Sequence, residues 1–135
     1  MANSMRVFLI SSFHGQALYY RDRDAEAISI LEEVLHSLEV IGEEDLVILT
    51  LDLISRCQCA MGHKYEAEST LQEAIKRNEA WYGKLDSNTL LLKTNLEKWL
   101  REWGREAESA VLKAEIDEIL GPDDIELEDI NFEKF

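Results

Sequence analysis

Ala27, Ala67 and Ala107 stand 40 residues apart, and each directly follows a glutamate: Glu26, Glu66 or Glu106. Four residues after each alanine comes an aliphatic side chain, Leu31, Leu71 or Val111, and seven after it comes Val34, Ala74 or Ala114. Apolar positions at i, i+4 and i+7 lie on one face of an α-helix. The small residue lets two antiparallel helices approach closely, and the larger ones fill the layer between them. One amphipathic hairpin cannot bury such a face alone, so copies must stack.

Punctuation agrees with this period. Gly42, Gly83 and Gly121 each follow a helix-compatible stretch, where glycine can take the left-handed conformation that ends a helix. Acidic or polar runs come next: Glu43-Glu44-Asp45, Asp86-Ser87-Asn88 and Asp123-Asp124. The first two suit the N-terminus of a following helix. Gly62 and Gly104 fall between paired helices. The pattern predicts six helices in three antiparallel hairpins: 4–21 with 24–41, 45–61 with 64–82, and 87–103 with 105–120. Residues 1–121 form the helical repeat domain and 122–135 an acidic C-terminal tail. With a single proline and six glycines in 135 residues, an all-α fold is favoured over a turn-rich β fold.

Asn88-Thr89-Leu90, Thr94-Asn95-Leu96, Gly104-Arg105-Glu106-Ala107-Glu108 and Ile119-Leu120-Gly121-Pro122-Asp123 together resemble a tetratricopeptide repeat of the kinesin light chain type. That repeat runs to about 42 residues, longer than the common form of about 34. Gly62 through Tyr65 to Glu66-Ala67-Glu68, with Tyr82-Gly83 and Asp86, looks like a second copy, and Tyr20 to Ala27 like a degenerate first. The resemblance implies a right-handed superhelical stack whose first helices line a concave surface. Two departures mark the third copy. Glu97 stands where the family carries a small residue, and the turn from Gly104 to Ala107 is two residues shorter than that from Gly62 to Ala67. Trp99 and Trp103, at i and i+4, read as core residues or as the cap of a terminal unit.

Projected onto this sequence, the resemblance places Phe13, Gln16, Tyr19 and Tyr20 on the concave face, then Leu49, Asp52, Arg56 and Cys59, then Leu91, Asn95, Lys98 and Arg101. Three of these are cations against one acid, in a chain of net charge −14. Such a face suits a peptide or partner protein carrying acidic residues and one bulky apolar anchor. Kinesin light chains are similar in binding tryptophan-acidic peptides. Asn95 matches an asparagine that contacts peptide backbone in that family, whereas Leu53 and Phe13 fill the equivalent places. The charge can equally be a solvated helix surface.

The tail holds six acids, one lysine and the apolar residues Ile125, Leu127, Ile130, Phe132 and Phe135. It reads either as disordered or as a segment that folds back onto the stack or enters a neighbour's groove. Val7, Phe8, Leu9 and Ile10 give the other end no polar cap, which points to self-association as a homo-oligomer.

With 28 acidic against 14 basic residues, the chain lacks the cationic footprint that nucleic acid or an anionic membrane requires. No apolar run reaches the ~18 residues that span a bilayer. Cys57 and Cys59 do not make a disulfide framework, so a reducing, cytoplasmic setting is expected. Cys59 and His63, at i and i+4, have metal-ligand spacing, but a structural zinc needs four ligands. His14 and His36 sit in no triad, and no phosphate-binding glycine loop occurs. The sequence therefore predicts a scaffold or adaptor module with no cofactor. A small-ligand binder or enzyme using the aromatic end, Phe13, Tyr19 and Tyr20, is the alternative.

Overall fold

The computed structural model describes residues 23–121, and every regular element among them is an α-helix: α1 (Asp24–Ile41), α2 (Glu44–Ala60), α3 (Lys64–Tyr82), α4 (Ser87–Glu102) and α5 (Glu106–Leu120). The five spans agree with those expected from the sequence to within one residue at each end. The expected helix over 4–21 and the acidic tail lie outside the described residues. The chain divides into two compact units, Met1–Arg77 and Asn78–Phe135.

In the first unit, α1 packs against α2. The repeat face carries this contact: Ala27, Leu31, Val34 and Leu38 are buried along α1, and Ala27 and Leu31 cluster with Ile54 and Cys57 of α2. α1 ends as the glycine predicts. Gly42 is left-handed at φ 76° and ψ 27°, its N–H donates to Glu39, and the Glu43 N–H donates to Leu38, so the last carbonyls are satisfied. The acids after it do not act as caps. Glu43 precedes α2 without a side-chain cap bond, while Glu44 and Asp45 lie in the first turn, where negative charge suits the helix dipole. Arg77 of α3 ties the unit together by pairing with Glu39 of α1 (3.0 Å), Glu44 of α2 (3.5 Å) and Glu73 one turn back (3.0 Å). The hydrogen bond to Glu73 outweighs partial burial and, with the surrounding acids, raises its pKa. Ala67, Leu71 and Ala74, the second copy of the repeat face, are fully buried.

In the second unit, a closed polar network fixes the turn into α4. Buried Asn78 donates to Asp86 Oδ2 (3.1 Å) and Thr89 Oγ1 (2.6 Å), and accepts from Asn88 Nδ2 (3.0 Å). Thr89 in turn donates to the Gly83 carbonyl (2.9 Å). Asp86 caps α4 by accepting from the Asn88 N–H at 3.1 Å, as the Asp-Ser-Asn run predicts. α4 packs against α5. Trp99 is buried, and Trp103 stacks beside it at a centroid distance of 5.7 Å.

The third copy of the repeat departs from expectation. Ala107, Val111 and Ala114 are exposed, Val111 by 72%. The buried residues of α5 are Ser109 and Ile116. The inward face has moved by two positions, because the turn after Gly104 keeps the length of the turn after Gly62. Helices begin two residues beyond each glycine, at Lys64 and Glu106, so Ser109 rather than Ala107 takes the place of Ala67. Gly121 also departs: φ is 84° but ψ is 164°, which lies outside the left-handed cap region.

Candidate functional site

α2 and α4 are buried over most of their circumference. α2 buries Val47, Ile48, Thr50, Leu51, Ile54, Ser55 and Cys57; α4 buries Thr89, Leu90, Leu92, Lys93, Leu96, Glu97, Trp99 and Leu100. A helix packed this broadly leaves only a narrow stripe for solvent. On α2 that stripe runs through Asp45, Leu49, Arg56 and Ala60, with Asp52 half-buried along it. On α4 it runs through Asn88, Leu91, Lys98 and Glu102, with Arg101 beside it and Asn95 half-buried.

Of the five candidate binding residues that fall in described regions, Leu49 and Arg56 lie on the α2 stripe and Lys98 on the α4 stripe, while Arg101 is exposed beside it and Asn95 is half-buried along it. Phe13, Gln16, Tyr19 and Tyr20 lie outside the described residues, as does any docking by the tail. Leu49 is 42% exposed and Leu91 43%, so each stripe offers one apolar side chain beside its charges.

The electrostatics are less cationic than a residue count implies. Arg56 is bound to Asp52 at 3.0 Å, one helical turn away. Burial raises the Asp52 pKa, although the charge and hydrogen bond of Arg56 pull it down. Arg101 lies 3.9 Å from Glu97. Lys98 makes no ion pair among the described residues, which leaves it, of the three cations Arg56, Lys98 and Arg101, the most available to an anionic ligand.

Three features of the interior escape a reading of the sequence. Lys93 is only 4% exposed, and its ammonium pairs with Glu115 (2.8 Å) and Glu79 (3.2 Å). Burial disfavours its charge, but hydrogen bonds to Glu115 and Glu79 prevail and its pKa is raised. The Asn78 network joins residues up to 11 apart whose polar character alone suggests a surface loop. The buried Glu97 accepts a hydrogen bond from Ser109. Only the last left a signal, in the unusual glutamate at a small-residue position.

Cys57 packs in the α1–α2 core, and burial with the nearby Asp24 charge pushes its thiol up to about 11. That suppresses the thiolate needed for metal ligation or nucleophilic attack at neutral pH. Cys59 is half-buried. Among the described residues no group of three or more His, Cys, Asp or Glu is placed to hold a metal ion, and no helix is long and apolar enough to cross a membrane. A scan against protein-family models and a search of curated proteins return no match to the chain.

Proposed function

We propose that this chain is a protein-interaction module of the tetratricopeptide kind, with stacked helical hairpins, and that each unit offers a partner one open stripe, on α2 in the first unit and on α4 in the second. The observation that carries this reading is that four of the five candidate residues, Leu49, Arg56, Lys98 and Arg101, are exposed on two otherwise largely buried helices. Packing fixes the backbone beneath these side chains, so a ligand meets a preorganised surface, which lowers the entropy lost on binding. On α2, Arg56 favours an acidic residue and Leu49 an apolar anchor; on α4, Lys98 and Arg101 favour acidic residues and Leu91 an apolar anchor. Each stripe suits an acidic peptide segment of a partner protein with one bulky apolar side chain, and the module works as a scaffold or adaptor.

Selection from a displayed library of acidic peptides, each with one aromatic or aliphatic anchor, tests this. Wild-type chain enriches a family of sequences. The variant Arg56→Glu/Lys98→Glu/Arg101→Glu binds the selected peptides at least tenfold more weakly, with unchanged helicity by circular dichroism. Equal affinity of the two proteins would remove these stripes from the binding surface.

A further inference from the structure

α5 carries a second face that nothing described covers. Ala107, Val111 and Ala114 form an exposed line opposite the buried Ser109 and Ile116, with Ala110 exposed alongside. This line repeats the sequence pattern of Ala27/Leu31/Val34 and Ala67/Leu71/Ala74, both of which are buried. Where the partner of that pattern is visible, it is the aliphatic side of another helix: Ala27 and Leu31 pack with Ile54. The third copy thus keeps a helix-packing surface after the turn has rotated it outward.

Charge narrows what can cover it. The line is flanked by exposed Glu106 and Asp117 on one side and by Glu108 and Glu115 on the other, with Glu118 at its end. Glu115 is engaged by Lys93, and Glu108 by Arg105. The acidic tail is of like sign and is disfavoured there. Residues 1–21 are the opposite: they contain Arg6 and Arg21 and no Asp or Glu, in a chain of net charge −14, and they carry Val7, Leu9, Ile10 and Phe13.

We propose that the outer face of α5 binds residues 1–21 of a second copy of this chain. The two surfaces differ, so the association is head-to-tail, and such a contact leaves one of each surface open for further copies. Apolar contact at Val111 supplies the affinity, and Arg6 and Arg21 set against Glu106, Asp117 and Glu118 supply the direction.

Sedimentation velocity of the full chain over a concentration series tests this. The weight-average coefficient should climb with concentration past the dimer. Its salt response should differ from that of Arg6→Glu/Arg21→Glu, because salt screens the arginine–carboxylate pairs as well as the repulsion between copies of net charge −14. Val111→Arg and Ala114→Arg, both at exposed positions, should weaken association at least tenfold without loss of helicity, and Arg6→Glu/Arg21→Glu should do the same. A monomer throughout, growth that stops at a dimer, or association unchanged in Val111→Arg overturns the proposal. Association lost in Val111→Arg but indifferent to the arginine reversal assigns the face to another occupant and also overturns it. If Val111→Arg fails to fold, Ala114→Arg and Arg6→Glu/Arg21→Glu decide.

Discussion

The hydroxyl of Ser109 donates a 2.8 Å hydrogen bond to Glu97 Oε1, and both side chains are buried. Counted from the inter-helix glycines, these two occupy the places that Ser55 and Ala67 hold one repeat earlier, where both residues are 0% exposed. A pair of small residues has been replaced by a carboxylate and the donor that satisfies it. Burying a carboxylate without partners is costly, so the two substitutions make sense only together.

That dependence predicts strong coupling. Ser109→Ala leaves the carboxylate short of a donor and should cost about 1–3 kcal/mol. Glu97→Ala/Ser109→Ala restores the small pair and should cost less than the sum of the two single variants, with a coupling energy on the order of 1 kcal/mol or more. Urea denaturation of all four proteins measures it. Additive effects would mean that the hydrogen bond contributes nothing to packing of α4 on α5.

The same pair shows what the sequence could and could not disclose. The five described helices were legible because apolar spacing, Gly42 and the Asp86 run are local signals. The face that α5 turns inward was not, because Ala107 repeats the 40-residue spacing of Ala27 and Ala67 while the 42 residues from Gly62 to Gly104 govern the geometry. Two periods compete, and turn length wins because it fixes where α5 begins. Positions on the α2 and α4 stripes were named through the family resemblance, projected onto the predicted helices. The pairing of Arg56 with Asp52 was available as an i, i+4 contact, yet it lowers the cationic character that a count of charges suggests.

Asn78 is the next point of leverage. Its side chain meets three partners, from Asp86, Asn88 and Thr89, at the entrance to α4. Asn78→Leu removes them together and places an apolar group among polar ones, so we expect a loss of about 3 kcal/mol or more, since each orphaned buried group costs about 1–3 kcal/mol. Thr89→Val removes only the threonine's bonds and should lose about 1–2 kcal/mol. Chemical denaturation ranks the two, and an Asn78→Leu protein as stable as wild type would show the network to be dispensable.

Lys93 predicts an asymmetry between removing a charge and stranding it. Glu79→Ala/Glu115→Ala leaves the ammonium buried without partners and should cost about 3–5 kcal/mol. Lys93→Met replaces it by a shape-compatible apolar chain and leaves two partly exposed carboxylates that water can reach, so it should cost far less. Thermal melts at neutral pH compare them. Equal losses would indicate that the triad acts through packing alone.

The raised pKa values of Cys57 and Lys93 both predict a loss of stability at alkaline pH. An ordinary thiol titrates near 8.5, whereas Cys57 is held up to about 11 by burial and by the Asp24 charge. Between these values the unfolded chain has released the thiol proton and the folded chain has kept it. The folded state therefore binds more protons, and stability falls as pH rises. The slope approaches 1.4 kcal/mol per pH unit, a ceiling of roughly 3 kcal/mol across the window. The raised pKa of Lys93 acts with the same sign at higher pH: its contribution is complete below the ordinary lysine value of about 10.4 and drains as pH climbs through the folded one. Cys57→Ala should be less stable at pH 7, through the small cavity it leaves, but should show a flatter decline from about pH 8.5 to 11. Urea midpoints over that range test this. Parallel curves for the variant and wild type would place the alkaline loss on other groups and remove Cys57 from the account.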